Sequence, residues 1–280
     1  MRPFYGVKNK GSNLGRLSIR SAPGAARSAP TPEVCPPPGA KPSAWAQDAL
    51  GFQPGPQQAE VLDADSRFLI LCCHRQWGKT TTIAIKALHA ALSRPEQTIV
   101  IVSRTKLQAG ILIDRATSFI ARLRIPPRRV LGHQFSLRFP NGSRIFAVAH
   151  SQETAIGNTA NVLIVDEASV VQDHVYFAVA PFIARTAGAL WLLSTPRRQA
   201  GFFYNIWHNE DSRWVRVFSN IEANPGKIDP AFLDMQRAAD PIRFRQDFLC
   251  EFVQPADRLI DMDTLKRMIR TDIDQFQLRF

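Results

Sequence analysis

The octapeptide His74-Arg75-Gln76-Trp77-Gly78-Lys79-Thr80-Thr81 carries the residue types that a phosphate group requires. Gly78-Lys79-Thr80 fits the second half of the phosphate-loop pattern G-x-x-x-x-G-K-[ST], while Cys73 stands where the first glycine is usual. Backbone N–H groups of Gln76, Gly78 and Thr81, at the loop and the following helix N-terminus, are suited to phosphate oxygens. Lys79 is placed to reach the β- and γ-phosphates of ATP, and Thr80 to offer its hydroxyl to Mg²⁺. A bare G-K-[ST] arises by chance in roughly one chain in ten of this length, so its partners decide the reading.

The decisive partner is Val162-Leu163-Ile164-Val165-Asp166-Glu167. Four apolar residues of buried-strand type deliver two carboxylates to one sheet edge, where open α/β sheets bind ligands. Asp166 is expected to hold the metal ion, and Glu167 to act as general base for an attacking water. Arg75, four residues before Lys79, is placed to stabilise transition-state charge on the γ-phosphate; the competing reading is a surface arginine. Ser194-Thr195-Pro196 follows another apolar run, where a hydroxyl pair can sense the γ-phosphate, although Ser-Thr-Pro is also a common turn.

The elements that must position these groups alternate between strand and helix. Apolar runs at Phe68–Cys73, Thr98–Ser103, Val162–Val165 and Ala189–Leu193 predict buried strands, with a fifth at Trp214–Phe218. Lys79–Leu92 and Lys106–Leu123 predict helices, the second stopped by Pro126-Pro127. Phe135–Phe139 and Arg144–Ala149 flank Pro140-Asn141-Gly142-Ser143, a strong hairpin signal. Residues 230–252 predict one or two helices broken near Pro241. The alternation implies an α/β fold with a mainly parallel, three-layer sheet and an inserted β-hairpin. Three segments result: a Pro/Gly/Ser-rich basic tail over 1–44, expected to be disordered, an α/β domain over 45–253, and a linker-like segment over 254–280.

The net charge of +11 points to a polyanionic partner, with nucleic acid as first candidate. Residues 1–50 hold seven basic and two acidic side chains, so the folded part is only moderately basic. Six basic residues and no acid in the first 32 resemble a transit peptide, but their Gly, Pro and Asn content opposes an amphipathic helix. Cys35, Cys72, Cys73 and Cys250 form no C-x-x-C pair and fit a reducing compartment. The histidines lack metal-ligand spacing, and no apolar run approaches the ~18 residues of a membrane span.

These motifs together resemble the ATPase domain of the terminase large subunit of tailed bacteriophages, the motor that packages DNA into the procapsid. The resemblance covers about residues 52–253. Pro54-Gly55-Pro56-Gln57-Gln58-Ala59-Glu60-Val61-Leu62 is similar to the family's adenine-recognition segment, with Gln58 as its glutamine. Arg75-Gln76-Trp77-Gly78-Lys79-Thr80 resembles its arginine-bearing Walker A, and Val165-Asp166-Glu167-Ala168 its Walker B with the catalytic glutamate. Ser194-Thr195-Pro196, followed by Gly201-Phe202-Phe203-Tyr204, resembles its coupling motif and the aromatic stretch behind it. Phe244-Arg245-Gln246-Asp247-Phe248-Leu249-Cys250-Glu251-Phe252 resembles the end of the domain. Ile156-Gly157 departs from the family's Arg-Gly pair before Walker B.

The resemblance implies a P-loop NTPase of RecA/ASCE type and an ATP-hydrolysing motor that translocates double-stranded DNA. By the same token it implies a portal protein, a small terminase subunit and a ring of copies as partners, no membrane, and the cytoplasm of a bacterial host. Family members usually continue into a metal-dependent nuclease domain. Here Asp257, Asp261, Asp263, Asp272 and Asp274 lack the strand-borne arrangement of a two-metal site, so DNA cutting is not expected of this chain. Of basic residues for DNA, Arg122, Arg124, Arg128, Arg129, Arg197 and Arg198 are candidates. Two other readings stand beside the motor: a truncated prophage remnant that binds nucleotide without packaging, and a helicase-like translocase, for which the residues after Phe252 offer no second ATPase domain.

Overall fold

The computed structural model describes residues 35–125, 128–130, 134–148, 159–223 and 226–254. The expectations for the tail before Cys35, for Pro126-Pro127, for Ile156-Gly157 and for the segment from Pro255 onward, with its aspartates, lie outside these residues.

Among the described residues, seven strands form one sheet: β1 (Phe68–Cys73), β2 (Thr98–Val102), β3 (Ser136–Arg138), β4 (Arg144–Ala147), β5 (Val162–Asp166), β6 (Ala189–Ser194) and β7 (Trp214–Ser219). Their spatial order is β3-β4-β2-β5-β6-β1-β7. All neighbours pair in parallel except β3 with β4. Those two form the inserted hairpin at the sheet's edge, turned by Pro140-Asn141-Gly142-Ser143 with Gly142 at φ 86°. Eight helices are described: α1 (Pro42–Leu50), α2 (Pro56–Asp63), α3 (Lys79–Ser93), α4 (Lys106–Ile120), α5 (Asp173–Val179), α6 (Phe202–His208), α7 (Pro230–Ala239) and α8 (Pro241–Asp247).

The apolar runs are continuous because the strands are buried on both faces. In β1, Leu69, Leu71 and Cys73 pack into one core with α1–α4, whereas Ile70 and Cys72 point to the opposite core. That second core is closed by Val175 and Val179 of α5 and by Phe202 and Phe203 of α6. The result is the expected three-layer α/β arrangement, with helices on both sides of a mainly parallel sheet.

Two differences from the sequence reading have physical causes. Order begins ahead of residue 45: Pro36 is buried, the Ala40 N–H donates to the Pro37 carbonyl, and α1 starts at Pro42. Proline-rich composition reads as disorder there, but at the first helical position proline loses no hydrogen bond and presets φ. The same holds for α2, which opens at Pro56. The Ser43 N–H and hydroxyl donate to the Asp63 carboxylate at 2.8 and 2.6 Å, tying α1 to the end of α2. Helices α5 and α6 went unpredicted because seven residues barely complete two turns, too few for a helical period to show.

Candidate functional site

The loop from His74 to Gly78 joins β1 to α3. Its conformation explains both its glycine and its missing one. Cys73 is still extended and level with Ser219 of β7, so no left-handed residue is needed there. Gly78 has φ 101°, and a Cβ on it would lie 2.7 Å from the Gln58 amide nitrogen, so the position admits only glycine. Gln76 also takes a left-handed φ of 64°, a strained conformation for a side-chain-bearing residue of the kind found at ligand sites. The Lys79 ammonium receives three acceptors: the Cys73 carbonyl at 2.7 Å, the His74 carbonyl at 2.8 Å and the Thr195 hydroxyl at 3.0 Å. Burial pushes its pKa below the usual lysine value.

Strand order brings the other groups to this lysine. β6 lies between β1 and β5, with Ser194 level with Cys72 and Asp166 level with Leu193. Asp166 therefore ends β5 one strand away from Thr195, which follows β6. The Thr195 hydroxyl donates to the Cys73 carbonyl at 3.0 Å, and the Ser194 hydroxyl donates to Ser169 Oγ at 2.7 Å. Ser169 Oγ in turn donates to the Thr195 carbonyl at 2.7 Å. The hydroxyl pair thus links the phosphate loop to the segment behind Glu167. Burial pushes the Asp166 carboxyl up to about 6, an effect opposed by the hydrogen bond from the Glu167 N–H at 2.9 Å. A carboxylate held in an apolar strand this way gains from a nearby cation. Glu167 sits at φ 53°, the second left-handed residue of the site that is not glycine.

A cleft of about 560 Å³ opens over these groups. It is lined by Arg75, Gln76, Lys79, Thr80, Asp166, Glu167, Ser194 and Thr195, so most of the predicted residues meet in one place. Three predicted ones do not line it: Gln58, Gly78 and Thr81. Gln58 is buried, and both ends of its amide are taken by backbone. Its oxygen accepts the Gly55 N–H at 2.9 Å, capping α2, and its nitrogen donates to the Trp77 carbonyl at 3.0 Å. In this arrangement it braces the phosphate loop from behind.

The rest of the lining is not legible in the sequence. Phe232 and Gln236 of α7, Arg243 and Asp247 of α8, and Phe248 form one part of it, and Arg104, Gln108 and Ile111, at and before α4, another. Asp247 falls inside the Phe244–Phe252 stretch that marked the domain's end, but no pattern in that stretch singles it out. Arg75 and Arg197 both face its carboxylate at 3.0 Å. Of the arginines offered as DNA contacts, Arg197 is thus engaged inside the cleft wall, and Arg122 donates to the Leu50 carbonyl while lying over the Phe119 ring. The aromatic stretch after the hydroxyl pair packs on the domain's last segment, with Phe203 and Tyr204 at 6.1 and 5.1 Å from Phe252.

A parallel sheet whose first strand feeds a glycine-lysine-threonine loop, with a buried aspartate ending a strand two places away, defines a P-loop NTPase domain. More narrowly, the chain belongs to the family described as the terminase large subunit, T4likevirus-type, N-terminal, which it matches over residues 73–267. Solved structures agree on the fold. The chain is similar to the Thermus phage P74-26 large terminase ATPase domain, with 20% identity and a TM-score of 0.66 over 76% of this chain and 100% of that one. The HK97 bacteriophage large terminase has 18% identity and a TM-score of 0.63 over 76% of this chain and 55% of that one. A large terminase from a thermophilic bacteriophage, in complex with ATP-γ-S, has 13% identity and a TM-score of 0.57 over 76% of this chain and 51% of that one. This chain spans about half the length of the last two. Among the described residues, no helix is long and apolar enough to cross a membrane.

Proposed function

We propose that the cleft between the phosphate loop and α7–α8 hydrolyses ATP, and that the chain uses this hydrolysis to drive double-stranded DNA into a procapsid. The observation that carries this reading is the meeting of Lys79, Thr80, Asp166, Glu167 and Thr195 in one cleft, although they come from three separate segments. Family membership and the thermophilic phage terminase's complex with ATP-γ-S support the choice of nucleotide.

In this reading the loop N–H groups and Lys79 bind the β- and γ-phosphates. Thr80 and Asp166 fit a Mg²⁺ ion: few protein oxygens are needed when phosphates and water complete the shell. When bound, Mg²⁺ would neutralise charge on the phosphate oxygens. Glu167 accepts a proton from the attacking water, and Arg75 stabilises charge on the γ-phosphate. Thr195, already bonded to Lys79 and to the Cys73 carbonyl, relays loss of the γ-phosphate to the Ser194–Ser169 link. Partners follow from the family: DNA, which the +11 charge favours, a portal protein, a small terminase subunit and further copies in a ring, in the cytoplasm of a bacterial host.

The test is ATP turnover by the full chain, with and without double-stranded DNA, beside Lys79→Ala. Turnover that DNA stimulates and the substitution removes is expected. Absence of turnover in both conditions, or Lys79→Ala behaving as wild type, would sink the reading.

A further inference from the structure

Asp247 is a nearly buried carboxylate, its side chain 6% exposed, that no step of the hydrolysis uses. Three guanidinium groups surround it, each from a different segment. Arg75 of the phosphate loop places Nε 3.0 Å from Oδ2, Arg197 after β6 places Nη1 3.0 Å from Oδ1, and Arg243 of α8 donates Nε to Oδ2 at 3.4 Å. One negative charge therefore faces three positive ones, and all four side chains line the phosphate cleft.

The backbone here is firmly held, whereas the ion pairs are not. The Asp247 carbonyl accepts the Arg75 N–H at 2.8 Å, Gln246 Nε2 donates to the Arg197 carbonyl at 2.9 Å, and the Ile221 N–H donates to the Phe248 carbonyl at 2.9 Å. Yet Oδ1, although within ion-pair distance of Arg197, has no aligned hydrogen bond among the described residues. None of the pairs is the two-bonded fork that locks an arginine to a carboxylate. The Arg75, Arg197 and Arg243 side chains are 49%, 25% and 60% exposed, so they can turn from this anion to another without leaving a buried place. The excess positive charge suits a phosphate group.

We propose that Asp247 is an internal counter-anion of the cleft: a positioning residue whose carboxylate shares Arg75 and Arg197 with the terminal phosphate of a bound nucleoside triphosphate. This rests on reading the cleft as an ATP site. A triphosphate draws the guanidinium groups off Asp247 and loosens the hold on α8. A diphosphate leaves more of them in place. The end of α8 then reports which nucleotide is bound.

The experiment measures equilibrium binding of a fluorescent non-hydrolysable ATP analogue and its ADP counterpart to wild type and Asp247→Asn. Removing the competing charge is expected to tighten the triphosphate at least ~3-fold, with a smaller change for the diphosphate; a packing defect weakens both. In the wild-type chain, amide exchange across residues 230–247 is expected to be faster with the triphosphate analogue than with the diphosphate. Triphosphate binding by Asp247→Asn no tighter than wild type overturns the proposal, and so does equal exchange in the two wild-type complexes. If Asp247→Asn does not fold, the exchange comparison decides alone. Failure of the wild-type chain to bind either analogue overturns the ATP reading itself, whereas normal binding without these differences overturns only the role of Asp247.

Discussion

The two walls of the cleft are built in opposite ways. On one side, α3 buries nine of its fifteen residues, and the loop before it is pinned by Trp77, 1% exposed, and by Gln58. On the other, α7 buries none of its ten residues, and Phe232, Met235 and Ile242 remain substantially exposed. It rests on a small third core of Ile221, Ile228, Phe244 and Phe248. A helix with so few apolar contacts opens at lower free energy than one packed in the main core. The phosphate loop is thus a fixed frame, whereas α7, with no buried residue, is the more loosely held part of the other side. Placing that side's one buried carboxylate against the loop arginine joins the two.

The strongest way to probe the fixed wall is chemical. Glu167→Gln is expected to lower ATP turnover by about 10²–10⁴-fold, with nucleotide affinity kept within about 3-fold of wild type. Steady-state turnover measured beside equilibrium binding decides this, and a loss below tenfold removes Glu167 from the role of base.

Stability then separates the walls directly. Trp77→Ala is expected to destabilise the chain by about 3–5 kcal/mol, because it empties a fully buried site beneath the loop. Phe232→Ala, on α7, is expected to stay below about 1 kcal/mol. Urea unfolding of both variants checks the contrast, and equal losses would mean that the two walls are equally fixed.

A subtler effect concerns Lys86, also on α3. Its ammonium donates to the Leu62 and Ala64 carbonyls at 2.7 and 2.8 Å and lies over the Trp191 ring. Burial lowers its pKa from 10.5 to about 8, with Asp63 and Asp65 opposing the change. Between those values the unfolded chain binds more protons than the folded one, so this lysine makes stability rise with pH across that window. Lys86→Met is expected to lose about 1–3 kcal/mol at pH 7 and to lack that rise. Unfolding curves at pH 7, 8, 9 and 10, taken as the difference from wild type, measure both.

The smallest effect is expected at the rim of the looser wall. Met235→Ser should change stability by no more than about 0.5 kcal/mol, since the side chain is 55% exposed. A larger loss in thermal unfolding would show that α7 is held more firmly than its burial indicates.

What the amino-acid sequence determined by itself was whatever is written in contiguous residues. The run Phe68–Cys73, the loop after it and the helix from Lys79 were legible because strand, turn and helix signals fall in one stretch. Val162–Asp166 was legible for the same reason: four apolar residues followed by acid can hardly be anything but a buried strand with a polar end. The hairpin at Asn141-Gly142 needed only its turn chemistry. Tertiary structure decided how these pieces meet. Only the order β5-β6-β1 puts Thr195 against Lys79, because parallel strands take their neighbours from distant segments. It also turned the Gln58 amide onto Gly55 and Trp77, a choice set by the packing of α2 behind the loop. Asp247 shows the limit most clearly. In sequence it is an acid at the end of a short helix, as a solvated residue would be. Arg243 is four residues earlier on the same helix, but the burial of Asp247 and its pairs with Arg75 and Arg197 exist only once α8 packs against the phosphate loop and the segment after β6.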